Sequence, residues 1–153
     1  MLKYSDAFSV VYFRYNEKEK FSLSAKKVKK ELEDFIIYEK SVNQWPGTIT
    51  LNETGQIYLM TMYRTDMAAE TTLLRVKSIW EWDYPKYPMD LAFFKDGYAW
   101  FESTAHEGIN LIHIKDQSTS DDLEKLGIVL TPIEFKSELF YDRDSLLANK
   151  KQE

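Results

Sequence analysis

Between Trp80 and Phe101 the chain places nine of its 23 aromatic residues, three of its four tryptophans, Pro85, Pro88 and the pair Asp96-Gly97. No other segment restricts the fold as much. Asp90-Leu91-Ala92-Phe93-Phe94 and Tyr98-Ala99-Trp100-Phe101 flank Lys95-Asp96-Gly97, and an Asp-Gly pair between two such runs predicts a β-hairpin. Ahead of it, Asp83 to Pro88 must be a loop, because the two prolines remove ladder donors and bias the residues before them to extended backbone. Two strands joined by a tight turn carry most of these aromatics into a core.

The rest of the chain supplies partners for that hairpin. Ala7 to Tyr15 is dense in β-branched and aromatic residues on both alternating faces, as expected for a central strand covered on both sides. The period then changes: Val28, Leu32, Phe35 and Ile36 share one helical face, Ser22 or Ser24 can accept the orphan amides, and a long helix over Ala25 to Glu39 is predicted. Its other face mixes lysines with Glu31, Glu33 and Asp34, which reads as a solvated surface and not a nucleic-acid patch. Trp45-Pro46-Gly47 interrupts, and Thr48 to Leu51 with Gln56 to Tyr63 around Asn52-Glu53-Thr54-Gly55 predicts a second hairpin.

Residues 66–80 are ambiguous. Leu74, Val76, Trp80, Trp82 and Tyr84 alternate as on a strand, whereas Leu73, Val76, Ile79 and Trp80 would line a helix beginning near Asp66; the strand from Thr72 is preferred, after one helical turn at Ala68-Ala69-Glu70. Ile109 to Ile114 reads as a further strand. Ser118 to Leu126, with Ser118 and Ser120 as cap candidates and Gly127 just past the end, is a short helix. Ile128-Val129-Leu130 is a short extended segment, and Asp142 to Glu153 a weak helix fraying into a charged flexible tail at 148–153.

Together these elements predict an α+β fold: a mostly antiparallel sheet of five to seven strands, one long N-terminal helix packed on one face and a short C-terminal helix. A chain of 153 residues fits a single domain, here 1–147, and buries roughly 68–70% of its unfolded surface. Hydrophobic residues at 44% and charged residues at 29% suit such a core. The absence of cysteine excludes disulfides, thiolate zinc sites and cysteine nucleophiles. The start Met1-Leu2-Lys3-Tyr4-Ser5-Asp6 lacks the pattern of a signal peptide and no apolar run is long enough to span a membrane, so a soluble, cytoplasmic protein is expected.

The net charge of −5 is unevenly placed: residues 1–65 carry 10 Lys or Arg against 8 Asp or Glu, whereas residues 66–147 carry 8 against 16. An acidic half repels phosphate backbones and steers a basic protein partner toward it. No nucleic acid and no membrane are expected among its partners.

Chemistry is sparse. His106-Glu107 precedes Gly108 in a loop, but the position where a metalloprotease needs its second histidine is Asn110. His113 with Asp83, Asp90 or Glu102 would have to be brought in by the fold to hold a metal, and no metal site or cofactor is expected. A small hydrolase would use His106 as base, Glu107 or Glu102 to orient it, and Ser103 or Thr104 as nucleophile, yet no nucleophile elbow frames Ser103. The competing structural role is a histidine bonded to loop backbone. The carboxylates Glu81, Asp83, Asp90, Glu102 and Glu107 near aromatic rings also suit a sugar or small-ligand module, and an aromatic patch with an acidic rim suits protein binding. The isolated glycines offer no phosphate-cradling loop. The candidate binding residues are Asp83, Tyr84, Tyr87, Asp90, Glu102, His106 and Glu107.

The stretch Asp90-Leu91-Ala92-Phe93-Phe94-Lys95-Asp96-Gly97-Tyr98-Ala99-Trp100-Phe101-Glu102-Ser103-Thr104-Ala105-His106-Glu107 resembles a block in small uncharacterised proteins of Gram-positive bacteria, some of them of the immunity type encoded beside polymorphic toxins. The resemblance implies a cytoplasmic protein that binds and neutralises a cognate toxin and has no chemistry of its own. With the acidic second half, it makes a non-enzymatic domain binding a basic toxin the leading expectation, with exposed members of Trp80, Trp82, Tyr84, Tyr87 and Trp100 as anchors.

Overall fold

The computed structural model describes residues 4–15, 18–19, 22–48 and 57–133. The chain runs β1 (Ala7–Tyr15), β2 (Lys18–Glu19), α1 (Leu23–Glu31), β3 (Ile36–Val42), β4 (Ile57–Arg64), α2 (Met67–Leu73), β5 (Met89–Lys95), β6 (Tyr98–Thr104), β7 (Ile109–Ile112) and α3 (Gln117–Lys125). The strands form an antiparallel sheet in the order β3-β4-β1-β5-β6-β7, with β2 folded onto the end of β1. This is the expected α+β class. As its composition predicts, β1 lies in the interior of the sheet, paired with β4 over residues 7–14 and with β5 over residues 7–11.

The two faces of β1 separate two cores. Phe8, Val10 and Tyr12 point to the face that Ala25 and Val28 of α1, Leu32 just beyond it, and Ala69 and Leu73 of α2 cover, joined there by Trp82, Leu91, Phe93 and Phe101. Tyr12 and Tyr63 pair their hydroxyls at 2.9 Å inside this core, where burial pushes both phenols well above their usual range. Ala7 and Val11 point the other way, with Met62, Ala92, Phe94 and Ala99 in one cluster and Trp45, Met60 and Met89 in another.

The first helix is shorter than expected. Ser22 caps it as read, its hydroxyl accepting from Ala25 N at 3.0 Å, but it ends at Glu31, Glu33–Phe35 form a 3-10 turn, and Ile36 begins a strand. Ile36, Ile37 and Tyr38 are β-formers, and pairing with β4 gives their backbone groups partners that an exposed helix end lacks. Phe35 and Ile36 still pack against the same core, because the 3-10 turn continues the rotation that suggested a helix.

Residues 66–80 are the second correction. In place of a strand from Thr72, Asp66 caps α2 by accepting from Ala68 N at 3.0 Å, and Ala69, Thr72 and Leu73 turn inward at helical spacing. The alternation of Trp80 and Trp82 comes from a 3-10 turn at Ile79–Glu81, itself capped by Ser78.

The Asp-Gly hairpin forms as predicted: Asp96 and Gly97 both take positive φ, 51° and 83°, joining β5 to β6. Of the other expected hairpin, residues 49–56 lie outside the described residues; β4 itself has β1 on one side and β3 on the other. α3 is capped by Asp116, not Ser118, and ends at Gly127 (φ 78°), with Gly127 N and Ile128 N donating back to Glu124 O and Leu123 O. Residues 128–130 form no strand, and the expected C-terminal helix and tail lie outside the described residues. Among the described residues no helix is long and apolar enough to cross a membrane.

Candidate binding site

The candidate residues gather at the end of the sheet where β5 begins and β6 ends. A register shift between β1 and β5 falls where Asp90 adopts φ 54°, an uncommon conformation that Asp tolerates better than most. The carboxylate is buried and held from two sides: Trp45 Nε1 donates to Oδ2 at 2.8 Å and Ala105 N donates to Oδ1 at 3.0 Å. Burial raises the Asp90 pKa, partly offset by those two bonds and by His106. The turn carrying Trp45 is pinned again where Thr104 Oγ1 donates to Gly47 O at 2.8 Å. Gly47 has φ 79°, and a Cβ there would stand 3.0 Å from Thr104 Oγ1 and 3.4 Å from Glu102 Cβ.

Above this buried carboxylate sits His106, its Nδ1 3.9 Å from Asp90 Oδ1 and its Nε2 3.7 Å from Glu107 Oε1. Glu102 goes elsewhere. It is fully buried, opposite Ala92 on β5 and Leu111 on β7, with Oε1 3.3 Å from His113 Nε2 and neither atom in a hydrogen bond. Ser103 is fully buried on the opposite face of β6, its hydroxyl without a hydrogen-bond partner. The structure thus joins His106 with Glu107 and Asp90, but not with Glu102 or Ser103. Of the carboxylates considered beside His113, namely Asp83, Asp90 and Glu102, it is Glu102 that the fold brings to it, through the register of β7 against β6.

The loop before β5 supplies the exposed part of the site. Tyr84-Pro85 is a cis peptide bond, and Tyr87 N donates to Asp83 O at 2.9 Å to close the turn. Tyr87 is half-buried against Trp82, ring centroids 5.7 Å apart, while Tyr84 leans on Phe13 and stays 43% exposed. Lys86 Nζ lies 3.8 Å from Glu81 Oε2, and Ser22 Oγ donates to Lys86 O at 3.0 Å, which ties the loop to the 79–81 turn and to the start of α1. The 79–81 turn packs in turn against the Ala105–Glu107 turn.

This juxtaposition sorts the candidates. Asp83, Tyr84, His106 and Glu107 reach the surface, joined by Trp80 at 42% exposure and by Glu81; Tyr87 is half-buried; Asp90 and Glu102 are interior, and Asp90 ties Trp45 and Ala105 together beneath the surface. Trp82, an expected anchor, is only 1% exposed and belongs to the core, and Trp100 is half-buried with its Nε1 donating to Ser5 Oγ at 2.9 Å. Among the described residues no three His, Asp or Glu side chains converge as a metal-binding group. Comparison with protein-family models, with curated proteins and with solved structures gives no match.

Proposed function

We propose that this protein is a cytoplasmic, non-enzymatic binding domain of the immunity type, which neutralises a basic toxin by docking it on the surface formed by the 79–84 and 105–107 segments. The observation that carries this reading is the pair of exposed aromatics, Trp80 and Tyr84, presented from tied turns among Glu81, Asp83 and Glu107. Trp and Tyr dominate the energetics of protein interfaces, and carboxylates around them favour a cationic partner. The excess of 16 acidic over 8 basic residues between positions 66 and 147 adds long-range steering of the same sign. The likeness of residues 90–107 to immunity-type proteins points the same way. The hydrolase alternative draws no support from the arrangement of Glu102 and Ser103, and the interior position of most of the block's rings favours a surface patch over a sugar-stacking groove.

The test is to express the open reading frames adjacent to this gene, each with and without the chain. One of them should arrest growth and be rescued, and Trp80→Ala with Tyr84→Ala should weaken the purified complex by about tenfold or more. Association should slow as salt rises. Growth unaffected by every neighbouring frame, or a complex indifferent to both substitutions, defeats the reading.

A further inference from the structure

Immediately beyond the 105–107 turn, Gly108 at φ 68° sends the chain into β7, the last strand of the sheet among the described residues. β7 reads Ile109-Asn110-Leu111-Ile112: no charge, no proline, no bulge. The opposite edge strand is different. β3 exposes the charged Glu39 and Lys40, residues with which proteins discourage edge-to-edge pairing. The free side of β7 carries a defined set of backbone groups. His113 N donates to Trp100 O at 2.8 Å, so residue 113 faces β6; with unbroken antiparallel register, Leu111 and Ile109 also face β6 while the N–H and C=O of Asn110 and Ile112 face outward. Ile109, 46% exposed, and Asn110 leave this edge accessible.

We infer that β7 is an acceptor for strand addition, and that its occupant is an extended, lysine- or arginine-bearing segment of a basic protein. The inference rests on the proposed binding function and names how its partner is held. Charge decides the occupant. Glu107 lies just before the uncharged strand, and the acidic docking surface adjoins its first residue through the packed 105–107 turn; at the far end Lys115 is followed by Asp116, whose carboxylate caps α3. A cationic strand pairs its main chain with Asn110 and Ile112 while its side chains reach Glu107 and the other carboxylates of the docking surface, the division of labour usual in strand addition. A second copy of this chain would instead bring together two molecules of net charge −5.

Asn110→Pro isolates the idea, because it deletes an outward N–H and leaves the bonds to β6 untouched, a position where edge strands accept proline. Asn110→Lys is the second variant, setting a positive charge against a cationic strand without altering the backbone. The probe is a fluorescein-labelled eight-residue peptide of alternating lysine and valine, with a glutamate–valine peptide as control, followed by anisotropy. The lysine peptide should bind, the glutamate peptide should not, and both variants should weaken binding by about tenfold or more with melting temperature nearly unchanged. Equal binding by the wild type and by a folded variant, or no binding of the lysine peptide, overturns the inference. So does a concentration-dependent dimer of the wild type in sedimentation that either variant abolishes, since the occupant would then be a second copy. If Trp80→Ala disrupts the toxin complex while Asn110→Lys does not, the docking surface stands and strand addition alone fails.

Discussion

Single residues at the sheet end show how position overrides type. Asp90 reads in the sequence as one more surface carboxylate, yet a bulge turns it inward to receive Trp45 Nε1 and Ala105 N. Nothing local announces this, because a bulge is a property of two paired strands. Gly47 is easier to foresee: after Trp45-Pro46 a glycine suggests a turn needing positive φ, and 79° is what it takes. Gly47→Ala combines that strain with a Cβ placed 3.0 Å from Thr104 Oγ1. It should destabilise the protein by about 1–3 kcal/mol, read as a lower urea midpoint at unchanged slope. An alanine variant within about 0.5 kcal/mol of wild type would refute the close approach.

At the scale of elements, the starts of α1 and α2 at Ser22 and Asp66 are legible in the sequence, whereas in α3 Asp116 takes the capping place that Ser118 and Ser120 suggested. Ser22, Asp66 and Asp116 each precede a helix and each accepts an amide of its first turn. Where the helices stop was less legible, because the end of α1 depends on β4 being available to Ile36 and its neighbours, a pairing between segments far apart in the chain. Thr71 and Thr72 suggested a strand, yet α2 forms because its inward face completes the core that α1 begins. The two helices are also joined by charge: Arg75 just beyond α2 reaches Glu31 Oε2 at the end of α1, and its hydrogen bond holds the Glu31 carboxyl below the usual value of 4.5. A depressed carboxylate stabilises the native state above its unfolded pKa, and that contribution is lost as pH falls through the folded pKa. The melting temperature of Glu31→Gln should therefore decline less than that of wild type on acidification below about pH 4.5, and match it more closely at low pH than at pH 7. Parallel curves would show that the pair adds nothing. Because Glu31 and Arg75 are both partly exposed to solvent, the difference should be small.

Over the whole molecule, the aromatic block divides by the sheet it helps to build. Phe93, Phe94 and Phe101 are buried on alternating faces, Trp82 closes the helix-covered core, and Trp80, Tyr84 and Tyr98 are left outside. Trp82→Ala should cost about 3–5 kcal/mol by emptying a packed site, while Trp80→Ala should change stability by no more than about 0.5 kcal/mol. Thermal unfolding of the two variants separates core from surface tryptophans; a comparable loss for both would place Trp80 in the core and remove it as an anchor. The sequence by itself determined the α+β class, the interior strand Ala7–Tyr15, the β5–β6 hairpin and the Pro-bounded loop, because each follows from side-chain period or turn chemistry acting within a few residues. It also indicated the acidic second half. Only the tertiary structure decided that Asp90 and Glu102 are interior, that His113 meets Glu102, that β3 replaces the end of a helix, and that the turns at 79–81 and 105–107 meet on one surface. Those outcomes depend on strand register and on contacts between distant segments, and register is set by the assembled sheet, not by any stretch of chain alone.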